Sequence, residues 1–247
     1  MTRLQRLGIG LAGAWLLAAA SGPALAVDAC AVPPELLASE ATLPKLGKRV
    51  IERAPLKVVF VGTSYSAVPE ADKSRSSYVG PLRNELVRHF PSNPVTVVDK
   101  SVPRQTAVQM ADRFERDVLP EKPHLVIWQT GTTDAVRQVD PADFTRVLMH
   151  GHKLLRKAGI ELVLMSMQYA RGTANLIRFE PYNDALDTVA DMKGVVLFHR
   201  HEIMRHWVST GQFEFDDVPP AEREALMERA HGCVASLMSR VIRTAAR

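Results

Sequence analysis

The sequence predicts an α/β domain built on a five-stranded parallel sheet covered by helices. From Leu56 onward, short runs rich in β-branched residues alternate with longer segments of 3.6-residue periodicity. Two of those runs, Val58-Val59-Phe60-Val61 and Leu125-Val126-Ile127-Trp128, are continuously apolar, as strands buried on both faces are. No internal repeat, low-complexity tract or second domain interrupts the pattern. One domain therefore accounts for the 247 residues once a leader is set aside.

Residues 1–26 read as a secretory signal peptide. Arg3 and Arg6 precede an apolar run from Leu7 to Ala20, and Ala24 and Ala26 fit an A-x-A cleavage site. The run is shorter than the roughly 20 residues of a spanning helix, and Pro23 breaks it, so no membrane span is expected after cleavage. The mature chain then begins at Val27 and is exported, to the periplasm or the medium. Asp28 stands where a lipidation signal ahead of Cys30 would carry a small or apolar residue. Residues 27–55, with Pro33, Pro34, Pro44 and Pro55, predict an arm with one or two helical turns, and residues 56–247 the domain itself.

Strands are expected at 57–61, 95–99, 124–129, 161–166 and 195–198, with helices filling the gaps. A helix at 78–90 tolerates Pro81 in its first turn and buries Tyr78, Leu82, Leu86 and Phe90 at spacings of four. A helix at 105–118 repeats the pattern with Ala107, Met110, Ala111, Phe114 and Val118, and Pro120 stops it. Asp140 as N-cap and Pro141 at the first helical position open a helix at 141–157. The last helix, 220–245, places Leu226, Ala230, Cys233, Leu237 and Val241 on one face. Such stripes are core rather than cofactor contacts.

The formal net charge is +4, part of it from Arg3 and Arg6 in the leader, and no block of five or six like charges occurs. A dedicated nucleic-acid binder is excluded on that balance. In an oxidising compartment the two cysteines, Cys30 and Cys233, suffice for one bridge, two buried free thiols being the alternative. In the chain-entropy model so long a loop is worth about 5 kcal/mol. With no CxxC or HExxH and the histidines scattered, neither a metal site nor a cofactor is expected.

Ligands of open parallel sheets bind at the carboxyl ends of the strands. Strand one leads into Gly62-Thr63-Ser64-Tyr65, a turn that presents Ser64 as a nucleophile or as ordinary capping. Strand two leads into Lys100-Ser101-Val102-Pro103-Arg104-Gln105-Thr106, and strand three into Gln129-Thr130-Gly131-Thr132-Thr133-Asp134. In order and spacing these turns resemble blocks I, II and III of the SGNH (GDSL-like) hydrolases, and the resemblance covers most of residues 56–245. The Cys30 arm, residues 126–132 and Gly232-Cys233-Val234-Ala235 are similar to one exported subgroup.

The resemblance implies a three-layer α/β/α sandwich of the flavodoxin-like SGNH kind and a serine esterase that needs no cofactor. Its block I serine is activated by a histidine three residues after an aspartate, and backbone N–H groups with an asparagine hold the oxyanion. Ser64 matches the nucleophile. The block II glycine falls at Arg104, which keeps a backbone donor but adds a long cation that blocks access, favours anions, or simply lies on the surface. The block III asparagine falls at Thr133, a shorter donor; losing one such donor costs about 10²–10³ in rate.

Block V carries Glu222 and Ala225 where aspartate and histidine belong. His231 in the last helix, with Asp217 to orient it, is one candidate for the substitute base, and His199 and His201 are others. His231 lies six residues past Ala225, roughly 9 Å further along, where a solvent-edge position is the plainer expectation. His199 and His201 follow strand five at the correct edge, while His89, His124, His150, His152 and His206 read as structural or exposed. Asp134 is expected to cap the segment after strand three. Three functions follow: an esterase or deacetylase acting on a small ester or acylated envelope glycan, with activity impaired by these changes; an inactive relative binding a ligand through Arg104; and a structural envelope partner. The oligomeric state is left open.

Overall fold

The computed structural model describes residues 30–63 and 78–247. The leader and cleavage site assigned to residues 1–26, and Ser64, lie outside the described residues. Strands β1 (Leu56–Val61), β2 (Val95–Asp99), β3 (Leu125–Gln129), β4 (Glu161–Met165) and β5 (Val195–Phe198) form a sheet of order β2-β1-β3-β4-β5. Every pairing is parallel, with Val59 aligned to Val98 on one side and Val126 on the other. Each strand lies within a residue of its expected bounds, because continuous apolar runs admit no other placement in so short a segment.

Alternation along each strand sorts the core into two halves. Val58, Phe60, Ile127, Met165 and Phe198 face α2 (Val79–His89), α8 (Arg200–Ser209) and α9 (Pro220–Ala245). Val59, Val61, Trp128, Leu164 and Leu197 face α3 (Ala107–Ala111), α5 (Pro141–Lys157) and α7 (Glu180–Ala190). The result is the three-layer α/β/α sandwich. Shorter helices α1 (Pro44–Ile51), α4 (Thr132–Val136) and α6 (Arg171–Ala174) occupy connections. Among the described residues no helix is long and apolar enough to cross a membrane.

Capping explains several boundaries. Asp140 accepts from Ala142 N and Asp143 N at 2.8 and 3.2 Å, opening α5 where expected. Glu161, the first residue of β4, accepts from Lys45 N and Leu46 N of α1, fixing the arm to the sheet. A disulfide joins Cys30 to Cys233 of α9 with a Cα–Cα distance of 5.0 Å, so the arm is tied at both ends.

One helix differs from expectation. The segment read as continuous over 105–118 ends as α3 at Ala111 and resumes as a single π-helical turn, Phe114–Val118. Phe114 and Val118 still enter the core. The break lets Arg113 turn inward, where Nε donates to Gln105 Oε1 at 2.8 Å and Nη2 to the Lys100 carbonyl at 2.5 Å. Local periodicity was overridden by a buried cation serving the loop after β2.

Candidate active site

The connections leaving the carboxyl ends of the strands meet along one edge. The loop after β2 stays on β1: Lys100 N donates to Phe60 O and Val102 N to Gly62 O, at 2.8 and 2.9 Å. Gly62 is required by close approach, since a Cβ there would lie 2.9 Å from the Cβ of Gln129. Gln129 Nε2 donates to Thr63 Oγ1 at 3.3 Å, linking the ends of β3 and β1. Thr63 is the last described residue before the expected nucleophile, Ser64.

Arg104 takes a φ of 62°, the left-handed region that glycine favours. The resemblance places a glycine here, and the backbone of this chain adopts the corresponding conformation despite the Cβ. Arg104 is exposed. Its carbonyl accepts from Arg137 Nη2 at 3.2 Å, a bond from just beyond α4. Thr133 is half-buried in the first turn of α4, behind Gly131, whose φ of 99° makes the chain reversal.

Asp134 caps more than its own segment. Its carboxylate reaches across to α3 and accepts from Ala107 N with both oxygens, at 2.9 and 3.1 Å. Only 1% of the residue is exposed, and burial raises its pKa above the ordinary value against the pull of hydrogen bonds from Ala107, its own N–H and Gly131. Asp134 and Arg137 thus clasp the two loops that carry Arg104 and Thr133.

His231 corrects the expectation of a solvent-edge histidine: it is 3% exposed. The helical face on which it lies turns inward, and its ring packs on Tyr78 with centroids 4.2 Å apart and planes at 51°. Tyr78 receives a 2.6 Å hydrogen bond from Arg200 Nη1, and Arg200 Nε donates to Ser166 O at 3.0 Å. Ser166 and Arg200 stand just past β4 and β5, so His231 belongs to the carboxyl edge of the sheet.

Asp217 is exposed, with φ 54°, and makes no ion pair with His231. Its neighbour Asp216 instead accepts from Arg171 N and Gly172 N at 3.1 and 3.2 Å, holding the start of α6. Glu222 and Ala225, the block V positions, are exposed on the first turns of α9. His201 lies at the same edge between Tyr169 and Phe179, with Nδ1 3.1 Å from Glu202 Oε1, while His199 Nδ1 is 4.0 Å from Glu202 Oε2. No cluster that could hold a metal ion occurs among the described residues.

Arg200 and Tyr78 were not singled out in the sequence as site residues. The available signal was a charged residue immediately beyond the apolar run of strand five, at the edge where ligands bind.

The model of the non-GDSL lipase-like family matches residues 29–247. The chain belongs to that family. This non-GDSL lipase-like protein shares its fold with several solved structures, esterases among them. An acetylxylan esterase from Geobacillus stearothermophilus, Axe2, is 19% identical with a TM-score of 0.62, covering 76% of this chain and 94% of its own. TesA is 22% identical with a TM-score of 0.58 over 75% of this chain and 99% of that one. A two-domain esterase active on acetylated mannans, CEX, is 17% identical with a TM-score of 0.63, covering 83% and 54%. At these identities the likeness is one of fold. A search of curated protein sequences finds no significant match.

Proposed function

We propose that this non-GDSL lipase-like protein is an exported serine esterase that removes an acyl group, acetyl above all, from an envelope glycan or a small ester. The observation that carries the reading is His231, an imidazole buried at the carboxyl edge of the sheet against Tyr78, which Arg200 bonds from just past β5. Esterase relatives acting on acetylated xylan and mannan support the substrate class, and the Cys30–Cys233 bridge supports export.

In this mechanism Ser64 Oγ attacks the acyl carbon while His231 takes its proton. The oxyanion is held by the backbone N–H of Arg104, with Thr133 as a second donor. His231 then protonates the departing alcohol. Water enters and gives a proton to His231 as it attacks the acyl-enzyme; His231 returns that proton to Ser64 Oγ as the acyl–oxygen bond breaks, and the carboxylic acid leaves. The threonine in place of asparagine predicts turnover about 10²–10³ below that of a full oxyanion hole.

Hydrolysis of p-nitrophenyl acetate by the oxidised mature protein tests this, beside Ser64→Ala, His231→Ala and His201→Ala. Turnover abolished in the first two and retained in the third is expected. Loss in His201→Ala alone among the histidine variants would move the base to the His201–Glu202 pair. Equal background rates with both activated and acetylated-oligosaccharide esters would sink the esterase reading.

A further inference from the structure

We propose that Tyr78 and Arg200 are positioning residues for His231, a role that rests on His231 being the base. Orientation of the imidazole is what a general base requires, since misplacement by about 1 Å can cost 10²-fold in rate. Here the imidazole lies against the Tyr78 ring, with centroids 4.2 Å apart and planes tilted at 51°, which restricts its swing toward Tyr78. Tyr78 is itself buried at the N-terminal boundary of α2, with Phe60 of β1 nearby at 6.4 Å between ring centroids. Its phenol is held by Arg200, whose guanidinium also lies 5.5 Å from the Tyr78 ring centroid.

Arg200 joins the assembly to the sheet. Its planar fork donates to Tyr78 Oη through Nη1 and to the Ser166 carbonyl through Nε, two acceptors at a fixed angle. Ser166 Oγ accepts in turn from His201 N at 3.0 Å, which closes the connection between the ends of β4 and β5. The path from the sheet edge to the imidazole therefore runs Ser166, Arg200, Tyr78, His231, each step a direct contact.

Stability alone is a poor reason for an arginine at this place. Arg200 is fully buried, no described carboxylate forms an ion pair with it, and Nη2 makes no hydrogen bond. Burying an unpaired cation costs several kcal/mol, and the first residue of α8 is at the positive end of a helix dipole. A methionine of similar volume would avoid both penalties but could not orient the phenol. A cation kept under such conditions, bonded to the ring that packs on the candidate base, is best accounted for by the geometry it imposes.

The test measures kcat and KM for p-nitrophenyl acetate and, separately, the His231 imidazole signal in protein with 13C-labelled histidine, assigned through His231→Gln. Tyr78→Leu should lower kcat by about ten-fold or more with KM little changed, and broaden or split the His231 signal. Tyr78→Phe, which keeps the ring but loses the hydroxyl that Arg200 holds, should lower kcat as Arg200→Lys does and by less than Tyr78→Leu. Arg200→Lys, which keeps the charge but loses the fork, should lower kcat with KM unchanged and disturb the same signal. A folded Tyr78→Leu with parental kcat and an unmoved His231 signal overturns the proposal. Should that variant not fold, parental kcat and an unmoved signal in Arg200→Lys do so instead. If the parent shows no turnover, the assignment of His231 as base fails separately. The labelled signal then decides positioning: disturbance in Tyr78→Leu upholds it, and an unmoved signal there overturns it.

Discussion

Arg137 donates a hydrogen bond to the carbonyl of Arg104, a residue held at a φ of 62°. The left-handed region costs a residue with a Cβ about 1–2 kcal/mol, a cost glycine escapes. Arg104→Gly is therefore expected to raise stability by about 1 kcal/mol with turnover at or above that of the parent, because the proposed mechanism uses only its backbone N–H. Urea unfolding combined with Arg137→Ala in a double-mutant cycle checks it. The Arg137 contribution should shrink once residue 104 is glycine.

Asp134→Asn leaves one acceptor oxygen where the carboxylate offers Ala107 N–H two. The expected loss is about 1–3 kcal/mol near neutral pH, with lower turnover as the two donor loops loosen. Because burial raises the folded pKa of Asp134 above its ordinary 3.8, the parent loses stability as pH rises through the window between those values. The asparagine variant lacks that slope, so the gap between the two proteins should narrow with rising pH. Chemical unfolding across pH 4 to 7 reads it directly.

Glu121 gives the opposite sign. Hydrogen bonds from Lys100 and then Lys57, both at 2.7 Å, lower its pKa from 4.5 to about 2. Whatever stability this cluster contributes is present above pH 4.5 and lost as pH falls toward 2. Glu121→Gln should be destabilising at neutral pH and match the parent progressively as acid is added. A constant difference across that range would be inconsistent with the pairing.

Reduction of the Cys30–Cys233 bridge, or Cys233→Ala, should lower stability by about 2–5 kcal/mol. The bridge spans 203 residues and is the covalent tie of the arm to α9. Equilibrium unfolding with and without reductant measures the difference.

The strands were legible because each is a continuous apolar run whose neighbours cannot be buried on both faces. Asp140, Pro141 and the stripe of α9 were legible for similarly local reasons. What could not be read was long-range. Asp134 reaches Ala107 across 27 positions, and Arg200 reaches Tyr78 across 122. Neither pattern leaves a trace in local periodicity. The inward turn of His231 was missed because the family's histidine position was used as the ruler, whereas the face shared with Val234, Ala235 and Met238 decides its burial.

The steps from Ser166 through Arg200 and Tyr78 to His231 join segments from four distant stretches of the chain. Contacts of such sequence separation form late, after loop closure has been overcome. Recovery of ester turnover during refolding should consequently trail the return of helical signal, making activity a marker of the finished topology rather than of its parts.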